Sequence, residues 1–80
     1  MTTEIKYDLE LDLKGLQCPL PMVKVSQNIN NIPVGGVIKA TATDPACEPD
    51  IGAWARLTGN EILSVEHSQD AIVLYVRRTG

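Results

Sequence analysis

Residues 7–13 (Tyr7, Asp8, Leu9, Glu10, Leu11, Asp12, Leu13) alternate without a break between apolar and acidic positions. A period of two is that of a strand with one buried face and one wet face, and Gly15 ends it. From Pro21 to Ile32 the period lengthens. Met22, Val25, Ile29 and Ile32 recur at helical spacing, with Lys24, Gln27, Asn28 and Asn31 on the opposite stripe. Asn30-Asn31, Pro33 and Gly35-Gly36 end this helix and turn the chain. Val37 to Thr43, rich in β-branched residues, reads as a second strand that Asp44-Pro45 stops. A second helix is predicted from Glu48 or Pro49 to Thr58. Proline suits a first turn, where its missing N–H would have no partner, and Glu48 and Asp50 complement the helix dipole there. Ile51, Trp54 and Ala55 supply the inner face, and Gly59 stands where a left-handed C-terminal cap is needed. Strands at Glu61–His67 and Ala71–Arg77 follow, joined around Ser68-Gln69-Asp70. The order is βαβαββ, without a repeat, a low-complexity stretch or an internal linker.

Right-handed βαβ crossovers would make the connected strands parallel and put both helices on one face of the sheet. Both helix N-termini then lie beyond the carboxyl ends of the preceding strands, the usual place for a site in such a sheet. Cys18 and Cys47 each stand at one of those N-termini. The face carrying Asp8, Glu10 and Asp12 is expected to be solvated.

Composition narrows the possibilities. Eighty residues make one domain, 1–80. With no Phe, one Trp and two Tyr, its core must be aliphatic. No apolar run approaches the roughly 20 residues of a membrane span. Met1-Thr2-Thr3-Glu4 lacks the basic start of a secretory signal. A cytoplasmic protein without membrane attachment is the expectation. The two cysteines fit neither a disulfide framework nor a zinc pattern, so no metal and no cofactor is expected. A formal charge of −3, with scattered Lys and Arg, argues against direct nucleic-acid binding.

Cys18 carries the chemistry. Any free cysteine can pack as a small hydrophobe, and one reading makes this chain a non-catalytic regulatory or protein-binding module in which Cys18 is structural. Its setting favours reactivity. It follows a strand and a glycine turn and precedes Pro19 and Pro21, which put it at the mouth of a helix. There the partial positive charge of unpaired backbone N–H groups favours a thiolate. No Asp/His pair accompanies it, so a hydrolytic triad has no support. The thiol suits exchange at sulfur, in which a thiolate attacks and is itself attacked.

The run Leu11-Asp12-Leu13-Lys14-Gly15-Leu16-Gln17-Cys18-Pro19-Leu20-Pro21-Met22-Val23-Lys24 resembles the signature of the TusA/SirA family of sulfur carrier proteins, whose core is C-P-x-P. A second block is similar to the family's D-P … D-I … A-W-A-R-x-T-G-x-E-L stretch: Thr43-Asp44-Pro45, Asp50-Ile51, Ala53-Trp54-Ala55-Arg56 and Thr58-Gly59-Asn60-Glu61-Ile62-Leu63. The resemblance covers nearly the whole chain. It implies an α/β (α+β) two-layer sandwich, a mixed four-stranded sheet with two helices on one face, as in the C-terminal domain of translation initiation factor 3. It also implies that Cys18 accepts sulfane sulfur as a persulfide, with Gly15, Pro19 and Pro21 shaping its loop. The implied donor is a cysteine desulfurase or rhodanese-like protein, and the implied acceptor is a DsrE-type relay protein. The pathway would be tRNA thiolation or sulfur oxidation. The activity would be sulfurtransferase-type relay rather than turnover of a small molecule, by a protein that is monomeric when free. One departure is Ala46-Cys47, where the family carries a small residue after D-P.

Other residues have plainer readings. Cys47 suits packing at a helix start, with an auxiliary role as the alternative. Lys14, Lys24 and Arg56 could hold a persulfide, a thiosulfonate or an acidic partner near Cys18, although long basic side chains are usually solvated. His67 reads as an ordinary strand residue, and Trp54 as core.

Overall fold

The computed structural model describes residues 5–17 and 20–80. Strand β1 (Leu9–Leu13) leads to helix α1 (Leu20–Asn28), which tightens into a 3-10 turn at Ile29–Asn31. Strand β2 (Val37–Ala42), helix α2 (Cys47–Thr58) and strands β3 (Glu61–His67) and β4 (Ile72–Arg77) complete the order. The sheet runs β1-β2-β4-β3. β1 and β2 are parallel neighbours, and β4 is antiparallel to both β2 and β3. β1, β2 and β3 therefore point the same way, and β4 is inserted between the second and third. The mixed four-stranded sheet with its two helices is the α+β sandwich expected from the sequence.

Alternation decides what is buried. In register, Leu9, Leu11 and Leu13 lie beside Ile38, Ala40 and Ala42, and these beside Val76, Leu74 and Ile72. They form one cluster with Val25, Ile29 and Ile32 from the first helical segment and with Cys47 and Ile51 from α2. Both helices thus cover one face. Ala40 and Ala42 are fully buried on the inner strand β2, where short side chains leave room for Val25 and Ile51. Each such aliphatic side chain contributes about 1.5–3 kcal/mol by leaving water.

The opposite face carries charge at its margins. Lys39 reaches Glu10 at 3.9 Å and lies 5.3 Å above the Tyr7 ring, while Arg77 pairs with Glu61 at 3.3 Å. This face is less wet than the acidic alternation suggests, because Val37 and Tyr75 upon it are buried. Their neighbours in the ladder, Arg77 beside Val37 and Lys39 beside Tyr75, carry long stems that can lie over apolar surface.

Element ends moved in physically intelligible ways. β1 starts at Leu9 rather than Tyr7 because Asp8 bends to bind the start of β2. The first helix loses its α-form at Ile29, where consecutive asparagines compete for backbone hydrogen bonds; the Asn28 side chain donates to the Lys24 carbonyl and accepts from Asn31. β2 stops at Ala42, one residue early, since Thr43 is turned toward the neighbouring loop. α2 begins at Cys47 rather than Glu48 or Pro49, and Gly59 caps it at φ +78° as expected. Ala71 falls outside β4, its N–H and C=O engaged by Ser68 in the turn. Trp54 is partly buried against the core cluster rather than within it.

Candidate functional site

The register Leu13↔Ala42 sends two loops out of the sheet side by side, separated at their roots by the strand spacing of about 4.8 Å. One runs from Lys14 toward α1 and contains Cys18; the other, Thr43 to Ala46, enters α2. Cys18 and Pro19 lie outside the described residues, as does any geometry between the two thiols.

Three contacts shape the first loop before Cys18. The Lys14 N–H donates to the Asp12 carboxylate at 3.1 Å, and the Leu16 N–H donates to the Leu13 carbonyl at 3.2 Å. Between them Gly15 takes φ +84°, a left-handed conformation that costs glycine nothing. Its N–H donates to the Thr43 hydroxyl at 3.0 Å. The Leu20 N–H donates to the Gln17 carbonyl at 2.8 Å. Pro21 is buried in the first turn of α1, where its missing N–H costs nothing.

The second loop is organised by Asp44. Its carboxylate accepts from the Ala46 N–H at 3.0 Å, and its carbonyl accepts from the Cys47 N–H at 3.0 Å. Gly15, Leu16 and Gln17 on one side and Thr43 and Asp44 on the other line a cavity of about 480 Å³. This cavity borders the segment that carries Cys18.

Cys47 is fully buried and free, and belongs to the core cluster. Burial pushes its thiol above the ordinary 9.0, and the nearby charges of Asp44, Glu48 and Asp50 push the same way. Only a backbone hydrogen bond opposes them.

The basic residues named from the sequence are dispersed. Lys14 is exposed and lines a shallow cavity with Glu10, Asp12 and Thr41. Lys24 is exposed on α1. Arg56 lies in the last turn of α2, about 14 Å along the helix from Cys47 at 1.5 Å per residue. It lines a separate cavity with Gly59, Asn60, Glu61 and Arg77. One contact had no local signal in the sequence: the His67 ring nitrogen meets the Glu48 carboxylate at 2.9 Å, joining the end of β3 to the start of α2. Both side chains are substantially exposed, which limits such a pair to about 0–1 kcal/mol. Among the described residues no group of three or more His, Cys, Asp or Glu side chains is arranged to hold a metal ion. No helix among them is long and apolar enough to cross a membrane.

These features define a small two-layer α+β protein with its distinctive loops at the carboxyl ends of two parallel strands. The chain belongs to the family described as sulfurtransferase TusA, whose profile matches residues 9–78. Similar proteins include the sulfur carrier protein TusA of Pseudomonas putida (strain GB-1), 32% identical over 95% of each chain. The sulfur carrier protein TusA of Allochromatium vinosum is 42% identical over 71% of this chain and 75% of its own. A relative from Aquifex aeolicus is 40% identical over 95% of this chain, and there the chain spans 39% of the relative's length. The chain likewise spans about two fifths of a Bacillus subtilis relative, 41% of its length. The crystal structure of a SirA-like protein from Desulfitobacterium hafniense superposes with a TM-score of 0.74 at 18% identity, covering 91% of this chain and 100% of that one. It shares the fold.

Proposed function

We propose that this protein is a sulfur carrier that takes up sulfane sulfur on Cys18 and passes it to an acceptor protein. The observation that carries this reading is the paired-loop frame. A glycine turn tied at 3.0 Å to the neighbouring loop leads into Cys18, while Cys47, the other thiol, is buried and held protonated. Membership of the TusA family and relatives named sulfur carrier proteins support it.

In the forward step the Cys18 thiolate attacks the outer sulfur of a donor persulfide. The Cys18–sulfur bond forms as the donor's sulfur–sulfur bond breaks, and the electron pair leaves on the donor thiolate, which takes a proton from solvent. Sulfur moves in the sulfane state, so no external oxidant or reductant is needed. The acceptor's thiolate repeats the attack on the Cys18 persulfide and regenerates the carrier. Donors of the cysteine desulfurase or rhodanese-like class and acceptors of the DsrE class fit this exchange, in tRNA thiolation or sulfur oxidation. The work would be done in the cytoplasm by a free monomer.

Incubation with a persulfide donor followed by peptide mass spectrometry tests the reading. Wild type and Cys47→Ser are expected to gain sulfur on the Cys18 peptide, and Cys18→Ser to gain none while remaining folded. Full loading of the Cys18→Ser variant would overturn it.

A further inference from the structure

We infer that Thr43 is a positioning residue of the carrier site, restraining through Gly15 the segment that leads into Cys18. The inference rests on the sulfur-carrier reading of Cys18 and adds to it a residue on the other loop. The Lys14 and Leu16 N–H groups donate back to β1, the strand from which the segment has just emerged. The Gly15 N–H crosses instead to Thr43, 28 residues away in sequence, at 3.0 Å. It does so from a backbone conformation at φ +84°, which a glycine in an unrestrained chain leaves freely. Thr43 is itself held at the end of β2, whose Ala42 pairs with Leu13. The next residue, Asp44, fastens the entry to α2. The two-residue segment Thr43-Asp44 thus anchors both loops bordering the cavity of about 480 Å³.

An in-line attack of sulfur on sulfur is sensitive to placement, and errors of about 1 Å in a reacting group cost large factors in rate. Fixing a loop residue removes conformational freedom that would otherwise have to be lost during the reaction. The Thr43 hydroxyl supplies that restraint through an acceptor on a strand-anchored residue, as rigid support of a reacting group requires.

The test compares Thr43→Val, which keeps the shape and removes the acceptor, with Thr43→Ser, which keeps the acceptor. Three quantities are read on each: exchange of the Gly15 amide by NMR, the rate of Cys18 alkylation by iodoacetamide through peptide mapping, and the pH profile of Cys18 loading from glutathione persulfide. Thr43→Val is expected to speed Gly15 exchange and to slow loading about three- to tenfold, the range of one net hydrogen bond, at every pH. Thr43→Ser is expected to restore both. Thermal unfolding serves as the control and is expected to move little, because Thr43 is exposed. Faster Gly15 exchange with wild-type loading and alkylation rates would overturn the assignment. If wild type takes up no sulfur, the carrier reading fails, whereas the alkylation rates still report whether Thr43 governs Cys18.

Discussion

Asp8 and Val37 are hydrogen-bonded to each other twice. The Asp8 N–H donates to the Val37 carbonyl at 2.8 Å, and the Val37 N–H donates to the Asp8 carboxylate at 3.0 Å. The pair locks the segment before β1 onto the first residue of β2, at the sheet end opposite the Cys18 loop. Removing the carboxylate leaves the Val37 N–H, on a buried residue, without that acceptor. Asp8→Ala is expected to lower stability by about 1–2 kcal/mol. Urea unfolding checks this as a lower midpoint with an unchanged slope.

Two glycines should respond oppositely to alanine. A Cβ on Gly36 would lie 2.8 Å from the Pro33 carbonyl oxygen and 2.9 Å from the Asp8 carboxylate. Gly36 also exchanges with the chain end, its carbonyl accepting from the Arg78 N–H at 2.9 Å, so the turn has little room to move. Gly36→Ala is expected to cost about 1–3 kcal/mol, as overpacking does. Gly52, inside α2, would meet nothing within 4 Å. Gly52→Ala is expected to add about 0.5–1 kcal/mol by reducing the freedom of the unfolded chain. Chemical unfolding of the two variants beside wild type reads both signs.

The raised Cys47 thiol makes stability depend on alkaline pH. In the fold the thiol holds its proton above the ordinary 9.0 because it is buried near carboxylates. The unfolded chain releases that proton first as pH rises, so it then binds fewer protons than the native state and unfolding becomes easier. The contribution is fully present below the ordinary value of 9.0 and is lost as pH climbs from there toward the folded value. Unfolding free energies of wild type and Cys47→Ala across that range are expected to converge with increasing pH; parallel curves would refute the assignment.

Electrostatics also sets what the protein avoids. With a formal charge of −3 and its basic residues dispersed, the protein lacks the clustered phosphate contacts that nucleic acid demands. Titration with tRNA near physiological ionic strength, where screening acts over about 8 Å, is expected to give no tight, salt-sensitive complex. A steep salt dependence at low concentration would contradict this.

The elements were legible because local signals agreed with their burial. Alternation in Leu9–Leu13 and helical spacing at Met22, Val25 and Ile29 reported faces that are indeed packed in one cluster. Strand order was less accessible: nothing local in Ile72–Arg77 says that it inserts between β2 and β3. Of the site, the glycine turn was readable from Gly15 and its surroundings. The tie from Gly15 to Thr43 and the contact between Glu48 and His67 were not, since each joins residues that only the assembled sheet brings together. Cys47 shows the opposite limit. Its place at a helix start was visible, but its reactivity depends on desolvation and on three neighbouring carboxylates.

The insertion of β4 sets a timetable for the newborn chain. A protein emerges from the ribosome N-terminus first, so β1, α1, β2, α2 and β3 are all made before the strand that joins them. Until β4 arrives, β2 has one open edge and β3 has no hydrogen-bonded neighbour in this sheet. Open edges of that kind invite pairing with other chains. The nascent chain therefore passes through an interval in which β1, β2 and β3 are present and the sheet cannot yet assemble, and a chaperone acting on it would have most to shield during that interval.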